Sequence, residues 1–112
     1  MASVNDGSQS QAEIRWSETE PGHVTARISG ELDIVSVERL QGPFDDLLAG
    51  GPTRIDLDLC GLAFMDSSGL ALLLRVANQL GPLRVYGASV LIQRVIEATG
   101  LTGILLVQDA AP

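Results

Sequence analysis

Residues 62–70 of the chain read LAFMDSSGL and separate two hydrophobic patterns. Before them, residues 54–60 alternate apolar and polar side chains, which is typical of a strand. After them, residues 70–80 repeat with a period of about 3.6, which is typical of a helix. We therefore predict that Asp66, Ser67 and Ser68 lie at a strand-to-helix turn. Free backbone N–H groups and the positive end of a helix dipole meet there, so the turn suits a carboxylate, a hydroxyl or a phosphate.

The patterns around this turn predict one α/β domain. Residues 14–18 and 23–28 both alternate and are separated by Pro21-Gly22, so they are expected to pair as an N-terminal β-hairpin. Further strands are predicted at 54–59, 83–86 and 104–107, and helices from Ser36, from Ser67 or Ser68 to Leu80, and from Val90 to Ala98 with Ser89 as cap. The order β-β-α-β-α-β-α-β predicts a mixed sheet that is parallel after the hairpin.

The first helix carries one conflicting signal. Leu40, Phe44, Leu47 and Leu48 form an apolar stripe behind the expected N-cap Ser36. Pro43 lies inside this stripe and is expected to kink or split the helix, because proline has no N–H to donate.

Length and composition indicate a globular chain. The 112 residues are 46% hydrophobic with a mean hydropathy of +0.25, enough for one aliphatic core. Residues 1–11 are small and polar and are expected to form a disordered lead before a domain at 12–112. The start shows no signal-peptide pattern and no apolar run approaches the ~20 residues of a membrane span, so a cytoplasmic protein is the simplest expectation.

The charge of the chain limits the classes of partner that it is expected to bind. The net charge is −7, lysine is absent, and the seven arginines are scattered singly. Nucleic acids and anionic membranes attract clustered basic side chains, so neither is expected as a partner. An acidic chain favours a basic protein surface.

The isolated polar residues predict no metal and no cofactor. A single cysteine cannot form an internal disulfide or a cysteine-based zinc site, and Cys60 is expected to be a small buried apolar residue. Asp56 and Asp58 are interpreted as the polar face of a strand, in preference to a metal site. His23 follows Pro21-Gly22 and is expected to be a solvated turn residue.

Three enzyme classes are not expected, because the chain lacks residues that each of them requires. Residues 65–69 lack the first glycine of a nucleophile elbow, and the lone histidine is an implausible base for a serine hydrolase. A P-loop needs a lysine that the chain does not have. A two-component receiver domain is similar in outline but also uses a lysine beside its phosphate. No catalysis by this chain is expected.

Three blocks of sequence resemble a known family. FMDSSGL at 64–70 resembles the signature of STAS domains, and specifically of bacterial anti-sigma factor antagonists. ISGELD at 28–33 and VIEATGL at 95–101 resemble two further turns of that family, in the same order. The resemblance covers the chain from about Ile14 to Val107.

The resemblance implies a phosphorylation switch. Ser67 corresponds to the phosphoacceptor, with Ser68 as the second candidate. Asp33 corresponds to an aspartate near that site, or alternatively forms an Asx-turn or cap before the first helix. An anti-sigma factor that is also a serine kinase would bind the unphosphorylated form, and a phosphatase would reset the switch. Asp66 either positions the serine hydroxyl or is simply a carboxylate at the helix start. Without the resemblance, Ser67 could be only an N-cap of the helix. Gly69 is explained by close packing of the backbone at the helix start.

Two other functions stay open at this point. The chain could be a STAS module that senses a small ligand or nucleotide, or a non-switching subunit of a larger assembly. Antagonists of this kind usually carry a further helix after the last strand, where this chain has residues 108–112. An uncovered apolar face there would favour a homodimer.

Overall fold

The computed structural model describes residues 12–109, so the lead predicted at residues 1–11 lies outside the described part. Six strands and three helices follow one another: β1 Ala12–Glu20, β2 His23–Leu32, α1 Ile34–Ala49, β3 Arg54–Asp58, β4 Leu62–Met65, α2 Ser67–Leu80, β5 Leu83–Tyr86, α3 Val90–Ala98 and β6 Leu105–Val107. None of these helices is long and apolar enough to cross a membrane. The predicted α/β class and N-terminal hairpin are confirmed.

One mixed sheet connects all six strands. Its order is β1-β2-β3-β5-β6, with β4 paired to β2 beside this path. The hairpin β1–β2 is antiparallel, and every other pair is parallel. The carboxyl ends of the parallel strands therefore point to one edge of the sheet, and each helix begins after one of those ends.

A single aliphatic core lies on one face of the sheet. Alternate residues of each strand point to opposite faces, and on β2 the core-facing residues Val24, Ala26 and Ile28 are buried. The buried residues of all three helices belong to the same cluster, with Phe44 of α1 fully enclosed. The helices thus cover one face, and the opposite face carries mainly polar side chains.

The short strand β4 was not predicted. Its four residues show no alternation, because the middle two are exposed and the outer two are buried. It exists because β2 is longer than β3: residues 23–27 of β2 pair with β3, and residues 30–32 pair with β4. This strand forms by pairing with a distant segment of the chain, and no local sequence pattern encodes such pairing.

The start of α1 was predicted wrongly. Asp33, not Ser36, is the N-cap, because the Asp33 carboxylate accepts a hydrogen bond from the Ser36 backbone N–H at 2.9 Å. The Ser36 hydroxyl accepts from the Asp33 N–H in return, which completes a capping box. Pro43 does not split the helix, because buried residues on both sides of it, Leu40 and Phe44, hold α1 against the core.

The expectation for His23 was also wrong, whereas Asp56 lies on the polar face of a strand as expected. His23 is not a solvated turn residue: its Nε2 lies 3.0 Å from the Oδ2 of Asp56. Asp56 does lie on the polar face of β3, but it is only 5% exposed and also accepts from the Arg54 guanidinium at 3.3 Å. The strand pairing between β2 and β3 brings these groups together and compensates the burial of the carboxylate.

Cys60 is exposed, in contrast to the prediction. It lies in the turn between β3 and β4, where its backbone N–H donates to the Asp58 carboxylate at 3.0 Å. Asp58 raises the pKa of the Cys60 thiol, first by hydrogen bonding to the thiol and then by repelling the thiolate; the nearby Arg27 lowers it by less. The local turn, rather than the apolar run of β3, decides the environment of this side chain.

Gly69 fixes the distance between α2 and the sheet. A Cβ atom at this position would lie 2.7 Å from the Cβ of Leu32 and 2.7 Å from the Cγ of Met65. These two residues end the paired strands β2 and β4. The first turn of α2 can therefore rest directly on both strand ends only with glycine at position 69, as close packing predicted.

The raised pKa of Cys60 predicts slow alkylation. At pH 7.5 the wild-type thiol should react with iodoacetamide more slowly than the thiol of Asp58→Asn, since a lower pKa gives a larger thiolate fraction. The pH profile of the rate should shift to lower pH in this variant. Cys60→Ser gives the background, because the chain has one cysteine. An unchanged or upward-shifted profile in Asp58→Asn would contradict this account.

Two glycine substitutions should differ in their effect on stability. Gly69→Ala forces Leu32 and Met65 to move and should lower the free energy of unfolding by about 1–3 kcal/mol. Gly42→Ala is the control inside α1: apart from its chain neighbours and its own helix backbone nothing lies within 4 Å of the added Cβ, and the better helix propensity of alanine is offset by the contact with the ring of Pro43, so the free energy of unfolding should change by less than about 1 kcal/mol. Urea unfolding followed by circular dichroism measures both. Equal stability of the two variants would show that the close approach at Gly69 is unimportant.

Candidate functional site

The ends of β2 and β4 bring two aspartates together. Leu32 and Met65 are partners in the parallel register, and each is followed directly by an aspartate, Asp33 or Asp66. The Asp66 N–H also donates to the Leu32 carbonyl at 3.1 Å, which ties the two chain turns to each other. Neighbouring strands lie about 4.8 Å apart, so the N-termini of α1 and α2 start side by side.

Asp66 is the N-cap of α2. Its Oδ1 accepts from the Ser68 N–H at 2.8 Å and from the Gly69 N–H at 3.3 Å. The alternative in which Ser67 caps the helix is therefore wrong. The carboxylate is held by two of the N–H groups that the helix start leaves free, which explains an aspartate at this position.

Ser67 is left available by this capping. It is the first residue of α2 and its side chain is exposed. Within residues 12–109 its hydroxyl makes no hydrogen bond, whereas Ser68 is half-buried. Of the two candidate phosphoacceptors, Ser67 is the more exposed.

Asp33 has a structural role beside this turn, at the start of α1. Its carboxylate and backbone take part in the capping box with Ser36, and the Ser36 hydroxyl donates at 2.6 Å to the Glu31 carbonyl. The cap holds the Asp33 carboxylate in a fixed position beside the start of α2. The structure thus brings the four residues of the predicted surroundings, Asp33, Asp66, Ser68 and Gly69, around Ser67.

An apolar rim lies at the same end of the sheet as this turn. Seven large apolar side chains are exposed in the described part of the chain, and five of them lie at this end of the domain. The apolar rim consists of Ile34 and Val35 at the start of α1, Phe64 on β4, and Val90 and Leu91 at the start of α3, each 39–67% exposed. Exposed apolar side chains that cluster in one place mark an interaction surface.

Sequence reasoning missed this rim, although a signal was present. Ile34, Val35, Val90 and Leu91 directly follow the caps Asp33 and Ser89 and fall outside the buried stripes of their helices. An apolar pair at the start of an amphipathic helix, off its buried face, is a local pattern. The apolar pairs of α1 and α3 lie at the same end of the domain because the strands before these helices are parallel. No local sequence pattern specifies that strand order.

No metal centre is formed by the described residues. Within residues 12–109 there is no group of three or more histidine, cysteine, aspartate or glutamate side chains that could hold an ion. The chemistry available at the turn is therefore that of one free hydroxyl, two capping carboxylates and an apolar surround.

Comparison with known sequences gives the family. The family model described as "Mlab, STAS domain" matches residues 17–108. An anti-sigma-B factor antagonist of Staphylococcus aureus (strain NCTC 8325 / PS 47) is 32% identical over 87 residues, which are 74% of this chain and 81% of that protein. The protein of the same name from Staphylococcus epidermidis is 30% identical over the same shares.

Solved structures agree with the sequences. The anti-sigma factor antagonist SpoIIAA in its unphosphorylated form superposes with a TM-score of 0.71 at 26% identity, covering 86% of this chain and 88% of that one. An anti-sigma factor antagonist from Mycobacterium paratuberculosis gives a TM-score of 0.74 at 25% identity, covering 88% and 87%. The phosphorylated form of SpoIIAA from Bacillus gives 0.65 at 26% identity, covering 86% and 91%.

The sequence blocks at residues 28–33, 64–70 and 95–101 agree with the matched relatives, and so does the mixed sheet. The chain belongs to the STAS domain family and, within it, to the anti-sigma factor antagonists.

Proposed function

We propose that this protein is a phosphorylation-controlled antagonist that binds an anti-sigma factor through the Ser67 turn and its apolar rim. The observation that carries the proposal is the free, exposed Ser67 hydroxyl at a helix start inside the largest concentration of exposed apolar side chains of the described chain. The name of the Staphylococcus relatives and the existence of SpoIIAA in phosphorylated and unphosphorylated forms support it.

The position of Ser67 suits a reversible modification. Its hydroxyl stabilises nothing in the described structure, since Asp66 provides the cap. A phosphate at the first residue of a helix lies at the positive end of the dipole and close to free N–H groups, so the fold tolerates it. The effect of phosphorylation is therefore expected on the surface and not on the core.

The surface effect would be large because carboxylates surround the turn. A phosphoserine carries about −1.5 to −2 charges at neutral pH. It would add these to the charges of Asp66 and Asp33, at the centre of the apolar rim. A partner that buries the rim would have to desolvate this phosphate, so phosphorylation should release the complex.

The remaining roles follow from the same proposal. The partner would be the serine kinase that uses ATP on Ser67, and a phosphatase would restore the unmodified hydroxyl. The chain itself would perform no catalysis and would act in the cytoplasm, where sigma factors work. Self-association through the face beyond β6 stays a prediction.

Replacement of Ser67 tests the switch. Ser67→Ala should fold with less than about 0.5 kcal/mol change in stability and bind the anti-sigma factor, whereas Ser67→Asp should bind it at least tenfold more weakly. Wild type should gain one phosphate with ATP and the partner, and Ser67→Ala none, measured by mass spectrometry. Ser68→Ala is the matched control and should be phosphorylated.

Three results would contradict the switch. Phosphate on Ser68 in wild type would move the site by one residue. Equal binding of wild type, Ser67→Ala and Ser67→Asp would favour a non-switching subunit of an assembly. Loss of folding in Ser67→Ala would show that the hydroxyl is structural.

Substitution in the apolar rim tests the docking surface. Ile34 is 67% exposed, so Ile34→Asn should leave stability within about 0.5 kcal/mol. It should weaken binding of the anti-sigma factor by about tenfold or more, the effect of one buried apolar anchor. Ile104→Asn, which removes another exposed apolar side chain outside the rim, is the control. Equal affinity of both variants, measured by calorimetry, would contradict a docking role for the rim.

A further inference from the structure

A cleft lies at the other end of α1 from the Ser67 turn. It is formed between the edge strand β1 and the last turn of α1, and it has a volume of about 310 Å³. Asp46 of the cleft follows Ile34 of the apolar rim by 12 residues, so at about 1.5 Å per residue the two lie about 18 Å apart along α1. A ligand in the cleft would not touch the switch turn.

The walls of the cleft combine an aromatic ring, an apolar floor and two carboxylates. Trp16 of β1 faces the same side of the sheet as Ala26, its partner on β2, and is 41% exposed. Val24 and Leu47 lie buried beneath it, and Glu18 and Asp46 stand exposed on opposite walls. An aromatic face bordered by carboxylates selects a cation with a flat or apolar surface.

The end of α1 strengthens this selection. A helix C-terminus carries a partial negative charge, and α1 has no basic residue in its last turn. Asp45 and Asp46 lie there nevertheless. Arg75 compensates Asp45 at 2.9 Å, but Asp46 forms no hydrogen bond or ion pair within residues 12–109. The carboxylate that faces the cleft is therefore the one without a cation.

Glu18 on the opposite wall is also without a cation. Its carboxylate accepts only from the neutral Gly22 N–H, at 2.9 Å, in the turn of the hairpin. This bond directs the side chain without cancelling its charge. Two carboxylates and a helix C-terminus thus line the same cleft as one half-exposed indole.

We propose that this cleft binds an arginine side chain of a protein partner. A guanidinium group is planar, so it can lie on the Trp16 ring while its N–H groups donate to Glu18 and Asp46; an ammonium group fits such a site less well. The strand β1 forms the edge of the described sheet, and its outer side pairs with no other described strand. An extended peptide segment can therefore approach beside the cleft. The proposal is independent of the phosphorylation of Ser67.

Trp16 makes the test direct, because it is the one tryptophan of the chain. The full chain is titrated at low salt with the blocked peptide acetyl-Gly-Arg-Gly-amide, and its tryptophan emission is followed. The emission should change in a saturable way, while the same peptide with neutral citrulline, which keeps the shape of arginine, should give no saturable change. Ser67→Ala should bind the arginine peptide as wild type does.

A matched pair of variants locates the site. Asp46→Asn should weaken the binding about fivefold, the effect of one partly exposed ion pair. Asp45→Asn, which removes the same charge from the same helix end but outside the cleft, should leave the affinity unchanged. Circular dichroism confirms that both variants are folded.

Each contrary outcome overturns the proposal. It fails if the arginine peptide gives no saturable change, if the citrulline peptide binds equally, or if both aspartate variants weaken the binding to the same extent. If agmatine binds more tightly than the arginine peptide, the occupant is a small free cation and not a protein segment.

Discussion

The pairing of Leu32 with Met65 is the constraint on which the functional end of the molecule depends. It sets the last residues of β2 and β4 side by side, so that Asp33 and Asp66 cap two neighbouring helices. Gly69 lets α2 rest on both strand ends. If this register slipped by one residue, the side chains at the strand end would point to the opposite face and the two caps would separate.

The division of tasks at the turn follows from this geometry. Asp66 satisfies the free N–H groups of α2, and Ser67 is thereby released from a structural role. Under the proposed switch, phosphorylation of Ser67 would then alter recognition without a cost in folding. In a helix capped by the serine itself, phosphorylation would exchange one cap for another and would couple the switch to stability.

The two ends of α1 present different chemistry to the surroundings. Its N-terminus contributes Ile34 and Val35 to an apolar surface around a free hydroxyl. Its C-terminus contributes Asp46 to an acidic cleft floored by apolar side chains. The positive dipole ends of α1 and α2 lie side by side at the proposed phosphorylation site, where they would tolerate a phosphate, and the negative end of α1 would add to the attraction of the proposed cation in the cleft.

Much of the local structure could be predicted, because its causes are local. The alternation in residues 54–59 and the helical period after Ser67 each depend on neighbouring residues, and Ser89 caps α3 as expected. Two of the missed features have a different cause. The pairing of His23 with Asp56 and the existence of β4 depend on strand partners more than 30 residues away. The predictions for Ser36 and Cys60 failed instead on local turns, in which a nearby aspartate forms the cap or sets the environment of the side chain.

The sequence by itself determined the α/β class, the hairpin and the strand-to-helix turn at residues 66–68, and its resemblance to a known family indicated Ser67 as the candidate phosphoacceptor. Periodicity, glycine and proline positions and short motifs carry that information without tertiary contacts. Only the tertiary structure decided that Asp33 and Asp66 lie at adjacent strand ends, that the apolar rim lies at the same end of the domain, and that Trp16 and Asp46 line one cleft. These arrangements join side chains from different elements, and strand order and register alone bring them into contact.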